Sequence, residues 1–165
     1  MNKKHALAAA ALCALVAAPA FAQKAGDGPW LVRARAVHLD SRNGDSTGLG
    51  LTVNNKWLPE VDISYFFSPN LAAELILTVP QKHTVSAGGT AIGSLKHLPP
   101  TLTVQYHFTG LPGFKPYVGA GLNYTRFSSV NLPAGVTIDK NSFGGALQLG
   151  VDIPVGGNMV FNVDL

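Results

Sequence analysis

The amino-acid sequence predicts an all-β protein, a transmembrane antiparallel up-and-down β-barrel of about seven strands. Three observations carry that expectation: a secretory leader, apolar residues recurring with a period of two, and connections that alternate between short and long.

The leader comes first in the chain. Lys3 and Lys4 form a positive start, an apolar small-residue run follows from Ala6 to Ala18, and Ala20-Phe21-Ala22 supplies a small-residue cleavage site. The run is short and rich in alanine, and Pro19 ends it, so it suits a removable signal better than a spanning helix. Residues 1–22 are expected to be a signal peptide, and residues 23–165 an outer-membrane barrel domain. Leu12 stands where a lipoprotein signal would place a small residue before Cys13. Cys13 is the single cysteine, so the exported chain has no thiol for a disulfide, a nucleophile or a metal site. Once Lys3 and Lys4 leave with the signal, the formal charge of +3 falls nearly to neutral, and it implies no nucleic-acid partner.

Over the full sequence 13% of residues are charged and 47% hydrophobic, yet beyond the leader no stretch approaches 18 unbroken apolar residues. The first strand sets Trp30, Val32, Ala34 and Ala36 against Arg33 and Arg35. The second sets Val61, Ile63, Tyr65 and Phe67 against Asp62 and Ser64. In the third, Leu71, Ala73, Leu75, Leu77 and Val79 face away from Glu74 and Thr78. The fourth opposes Leu102, Val104, Tyr106 and Phe108 to Thr103, Gln105 and His107. The fifth opposes Val118, Ala120, Leu122 and Tyr124 to Tyr117, Gly119, Gly121 and Asn123. Phe143, Leu147, Leu149, Val151 and Ile153 lie opposite Gln148 and Asp152 in the sixth. Met159, Phe161, Val163 and Leu165 alternate with Asn162 and Asp164 in a seventh. Successive side chains of a strand point to opposite faces, so each segment has one apolar and one polar or small face.

Ser68-Pro69-Asn70, Thr109 to Phe114 and Pro154 to Asn158 are tight-turn sequences. The gaps at roughly 40–55, 81–98 and 128–140 are longer and polar, and are expected to be extracellular loops. A soluble sandwich or lipocalin-like barrel also alternates. There the face opposite the apolar one would meet solvent, and in this chain that face is rich in Gly, Ala, Thr and Gln, which suits a narrow lumen.

Pro29-Trp30-Leu31-Val32-Arg33, Ile63-Ser64-Tyr65-Phe66, Pro100 to Phe108 and Phe114 to Tyr124 resemble the OmpW family. The similarity runs in order through nearly all of residues 23–165. It implies an eight-stranded barrel in the outer membrane of a Gram-negative bacterium. It also implies a porin-like, partly hydrophobic channel for small apolar compounds and, in some members, service as a bacteriocin or phage receptor. The family closes with an eighth strand read by the barrel-assembly machinery. Seven are counted here, with the seventh reaching Leu165, so the expectation is a C-terminally truncated barrel.

Arg33, Arg35, Glu60, Asp62 and Glu74 are the candidate lumen-facing polar residues. They read as a charged constriction or, preferably, as an ion-pair network filling a lumen that eight strands leave wide enough only for side chains or one small ligand. Trp30, Tyr65, Phe67, Tyr106, Phe108 and Tyr124 are the candidate interfacial aromatics. His38, His83, His97 and His107 match no metal spacing and are expected to be solvated for the most part, although His83 and His97 could meet within one loop. Gly119-Ala120-Gly121 lacks the third glycine and the helix of a dinucleotide loop, and no nucleophile elbow is present. Catalytic residues, metals and cofactors are therefore not expected.

Expected partners are outer-membrane lipid and lipopolysaccharide, whose phosphates the loop residues Arg42, Lys56, Lys82, Lys96 and Lys140 could contact, with small apolar ligands inside. The leading expectation is a narrow channel or binding site for small hydrophobic molecules. The alternative is a structural or receptor barrel with a plugged lumen. A soluble periplasmic lipid binder, extractable without detergent, is a third reading.

Overall fold

A computed structural model describes residues 10–13, 21–24, 28–42, 48, 50–133 and 139–165. In chain order its strands are β1 (Ala10–Cys13), β2 (Phe21–Lys24), β3 (Trp30–Arg42), β4 (Leu51–Val53), β5 (Lys56–Phe66), β6 (Leu71–Thr78), β7 (Gln81–Ala87), β8 (Thr90–Leu98), β9 (Thr101–His107), β10 (Lys115–Asn131), β11 (Asn141–Gly156) and β12 (Met159–Asp164). No helix occurs among the described residues, and all strand pairings are antiparallel.

The wall follows the order β3-β5-β6-β9-β10-β11-β12, each strand paired with its neighbour in sequence once the short outer strands are set aside. That up-and-down order pairs the backbone N–H and C=O groups of successive strands with one another, which is what hydrocarbon demands. Between β12 and β3 the ladder passes only through β2, whose Ala22 and Gln23 pair with β12 and whose four residues pair with β3. No full-length strand closes the sheet there. Ala22, the expected cleavage point, lies within β2.

Short turns gather at one end. Asn70 donates through Nδ2 to the His107 carbonyl at 2.7 Å, tying the β5–β6 turn to β9. Gly156 and Gly157 turn β11 into β12 with φ of 110° and 58°, a conformation that glycine adopts without steric cost. At the other end the structure differs from expectation. Residues 81–98 form a hairpin rather than a polar loop, with β7 and β8 joined at Gly88-Gly89, both at positive φ as a primed hairpin turn requires. The lower half of β10 pairs with β9, and its upper residues Arg126 to Asn131 pair with β8. The β4-β7-β8 sheet thus extends the wall past the barrel.

Burial is inverted relative to a water-soluble protein. Leu147 is 87% exposed and Phe143 78%, while Arg33, Asp62, Glu74 and Gln105 are fully buried. Aliphatic residues cover the outside and the polar phase of each strand points inward, as the lipid-facing alternation of a membrane barrel requires.

Candidate functional site: a polar floor and an apolar mouth

The interior is organised in two layers along the barrel axis. The register of β3 against β5 sets Arg33 beside Asp62 and Arg35 beside Glu60, with Val37 beside Leu58 one inward step higher. The lower layer is therefore charged and the upper one apolar.

In the floor, Arg33 forms a fork with Asp152, Nη2 to Oδ2 at 2.8 Å and Nε to Oδ1 at 3.3 Å. Its Nη1 donates to Ser64 Oγ at 2.9 Å and to Glu74 Oε1 at 2.7 Å. The guanidinium carbon sits 5.6 Å from the centre of the Tyr117 ring. Arg35 holds Glu60 at 3.0 Å, Asp62 at 2.6 Å and Asp164, and donates to Asn162 Oδ1 at 3.1 Å.

Carboxylates outnumber guanidiniums in this group, and neutral donors serve the oxygens of Glu74, Asp152 and Asp164. Gln148 Nε2 donates to Glu74 at 2.8 Å and Asp164 at 2.6 Å, and Gln105 Nε2 to Glu74 at 2.6 Å. Tyr117 donates to Asp164 at 2.8 Å, and Asn162 to Asp152 at 2.8 Å. Burying a charge is costly unless it is both paired and hydrogen-bonded; Arg33, Glu74, Asp152 and Asp164 meet both conditions, whereas Asp62 is held by its ion pair to Arg35 alone, with neither oxygen hydrogen-bonded.

Small residues admit the large ones. A Cβ on Gly150 would overlap the Tyr117 ring, and one on Gly119 would lie 2.9 Å from Gln148 Oε1. His107 stacks on Tyr117 with centroids 4.7 Å apart and donates from Nε2 to Gln105 Oε1 at 3.0 Å.

Arg33, Arg35, Glu60, Asp62 and Glu74 thus lie in one connected network. Its other members are Ser64, Thr103, Asp152, Asp164, Gln105, Gln148, Tyr117, Asn162 and His107, which the sequence analysis did not name as lumen candidates. Their signal was available, since all fall on the polar phase of their strands.

The expected interfacial aromatics form neighbouring pairs. Trp30 and Tyr65 are 4.8 Å apart, Tyr65 and Phe67 5.1 Å, and Tyr106 and Phe108 5.2 Å, all near the short-turn end. Tyr124 lies apart from them, against Phe143 at 4.9 Å. Phe108 bonds to Pro116, and eight residue steps of β10 separate Pro116 from Tyr124, about 27 Å along the strand and roughly 20 Å along the normal after tilting.

Above the floor the interior turns apolar. Leu39, Leu51 and Leu58 are buried, and beyond them Val85, Leu95 and Phe127 form a cluster flanked by Val53, Ile92 and Leu132. His83 and His97 lie on the same inner face with ring centroids 4.6 Å apart. The expectation of solvated histidines is overturned for both, which are 1% and 9% exposed, and for His107 at 2%. His83 Nδ1 donates to the Asn54 carbonyl at 3.2 Å, and its Nε2 is buried with no hydrogen-bond partner. Burial holds the His97 imidazole down at about 4, with His83 adding to the effect. Burial also lowers His83. His38 instead sits on the outside against Trp57, 3.4 Å from Asp40.

An all-β antiparallel wall with aliphatic residues outside and an ion-paired interior defines an outer-membrane β-barrel protein. The chain belongs to the OmpW family, whose model matches residues 23–165. It is 42% identical over 150 residues to the uncharacterized outer-membrane protein y4mB of Sinorhizobium fredii, covering 86% of this chain and 65% of that protein's length. It is 34% identical over 174 residues to outer membrane protein W of Vibrio cholerae, covering 94% of this chain and 79% of the relative. Its fold matches the crystal structure of OprG from Pseudomonas aeruginosa with a TM-score of 0.65 at 25% identity, over 90% of this chain and 77% of that one. Like its relatives, it is a protein of the Gram-negative outer membrane.

Proposed function

We propose that this barrel takes up small hydrophobic molecules at its extracellular mouth, as a narrow channel or binding site without a catalytic step. The observation that carries this reading is the change of lining one inward step above Arg35 and Glu60, from a hydrogen-bonded ionic floor to Val37, Leu39 and Leu58. An apolar solute gains about 25 cal/mol per Å2 of surface removed from water in such a mouth. The floor offers it nothing, because every step downward would break charge-assisted hydrogen bonds. No cofactor is required, since selectivity rests on lining and shape.

The test is uptake of an apolar fluorescent probe by proteoliposomes. The protein should exceed empty liposomes, and Leu39→Asn with Leu58→Asn should reduce uptake several-fold. Uptake equal to that of empty liposomes contradicts the reading.

One observation favours a second reading, a structural or receptor barrel. The floor is filled by fully buried Arg33 and Tyr117 side chains, which suits a plug. Replacing residues 81–98 with a short turn discriminates: changed binding of an external partner at unchanged probe uptake supports the receptor.

A further inference from the structure

We propose that the outer face of β7, β8 and β10, just above Tyr124, binds the phosphate of an outer-leaflet glycolipid. Along the outside of β10 the side chains run Val118, Ala120, Leu122, Tyr124, Arg126, Ser128. That is the depth order of a leaflet: aliphatic in the hydrocarbon, aromatic at the interface, cationic at the headgroup.

Lys96 of β8 stands in register with Ser128, and Arg126 with Leu98, so Arg126 and Lys96 are diagonal neighbours. Lys82 of β7 stands directly opposite Lys96. All three cations and Ser128 are exposed, and among the described residues none of the three cations has an ion-pair or hydrogen-bond partner. Directly opposed like charges, about 5 Å apart at Cβ, destabilise a sheet unless an anion lies between them.

Among the described residues no such anion is paired with these cations. The sequence contains no Asp or Glu between Glu74 and Asp139, and Asp139 makes no ion pair with these groups. The opposite side of the barrel differs, for there Asp40 is held by His38 and by Asn55. Lys82, Lys96 and Arg126 thus gather unpaired positive charge on one stretch of the outer face. A phosphate monoester has the charge and acceptor oxygens to bridge Lys82, Lys96 and Arg126, with the Ser128 hydroxyl as a further donor. The glycolipid's acyl chains would lie along Leu122 and Leu102, which are 70% and 57% exposed. At Ser128 β10 shifts register, and Ser129 takes φ +47°, a bulge that re-aims this part of the strand.

The inference rests on residence in the outer membrane and is independent of what enters the mouth. The experiment is native mass spectrometry of the full chain, released from detergent after mixing with bisphosphorylated lipid A, with dephosphorylated lipid A, or with inorganic phosphate as competitor. Wild type should retain the bisphosphorylated lipid and not the dephosphorylated one, and phosphate should not displace it. The triple variant Lys82→Gln, Lys96→Gln, Arg126→Gln should lose at least about tenfold in retention. Lys82→Arg, Lys96→Arg, Arg126→Lys should keep it, and so should Lys115→Gln at the short-turn end. Equal retention by the Gln triple overturns the site. An equal loss in Lys115→Gln overturns it as mere net charge, and displacement by phosphate overturns the lipid as occupant. Apolar-probe uptake should be the same for the Gln triple and wild type, which separates this proposal from the proposed function.

Discussion

Arg33 and Glu74 are 41 residues apart in the chain and 2.7 Å apart inside the barrel, both fully buried. The pair locks β3 to β6 across the intervening β5, where Ser64 hydrogen-bonds to both. Removing one partner strands the other charge away from water. Arg33→Met should lower the free energy of unfolding by about 3–5 kcal/mol. Glu74→Gln, which keeps an acceptor oxygen, should lose less. Urea unfolding followed by gel mobility of the unheated protein measures both, and equal stability of Arg33→Met and wild type contradicts a network that holds the wall together.

Gly150 leaves room for the Tyr117 ring. Gly150→Val should displace that ring from Asp164 and destabilise the barrel by about 1–3 kcal/mol. Gly144→Ala, with open space at its Cβ, should stay within about 0.5 kcal/mol of wild type. The same unfolding assay compares them.

Acid should loosen the β7–β8 hairpin. His97 is held down at about 4 by burial and by His83, and His83 is itself lowered by burial. A folded-state value below the unfolded one, near 6.5 for His, means that unfolding takes up protons between the two. The stabilisation is therefore complete above about pH 6.5 and is lost as pH falls toward 4. The groups around the pair offer no relief, since Lys56, Lys82 and Lys96 are all basic. Hydrogen-exchange protection of the amides of residues 81–98, relative to their intrinsic rates at each pH, should fall over that window, while that of β10 near Tyr117 stays unchanged. His97→Phe should flatten the response, and a flat wild-type profile contradicts it.

The exported chain should begin at Gln23. Intact mass of protein recovered from the outer membrane reads this directly, and a mass retaining residues 1–22 contradicts the cleavage expectation.

The wall was legible because lipid outside and polar groups inside force a strict alternation, and each strand displays it locally. Five network members, Arg33, Arg35, Glu60, Asp62 and Glu74, could be picked out because they are charged and in the inward phase. Asp152 and Asp164 share that phase, but only the registers of β11 and β12 bring them to the arginines. The upper sheet was harder to read. Residues 81–98 mix Lys, His and Thr with isolated Val and Leu, and their strands exist because β10 runs past the end of β9 and offers a free edge. The burial of His83 and His97 follows from that nonlocal pairing, so the composition of the segment gave no hint of it.

The inside-out alternation of the wall is the central claim, and spin labels at Leu147, Gln148 and Leu149 test it most directly. Single cysteines introduced into the exported chain, which begins after Cys13, would be labelled in the reconstituted protein and their collisions with oxygen and with a water-soluble nickel chelate compared. Labels at 147 and 149 should collide with lipid-dissolved oxygen and be shielded from the chelate, and the label at 148 should be shielded from oxygen. Equal chelate access at 147 and 149, with no change at 148, would contradict the membrane barrel itself.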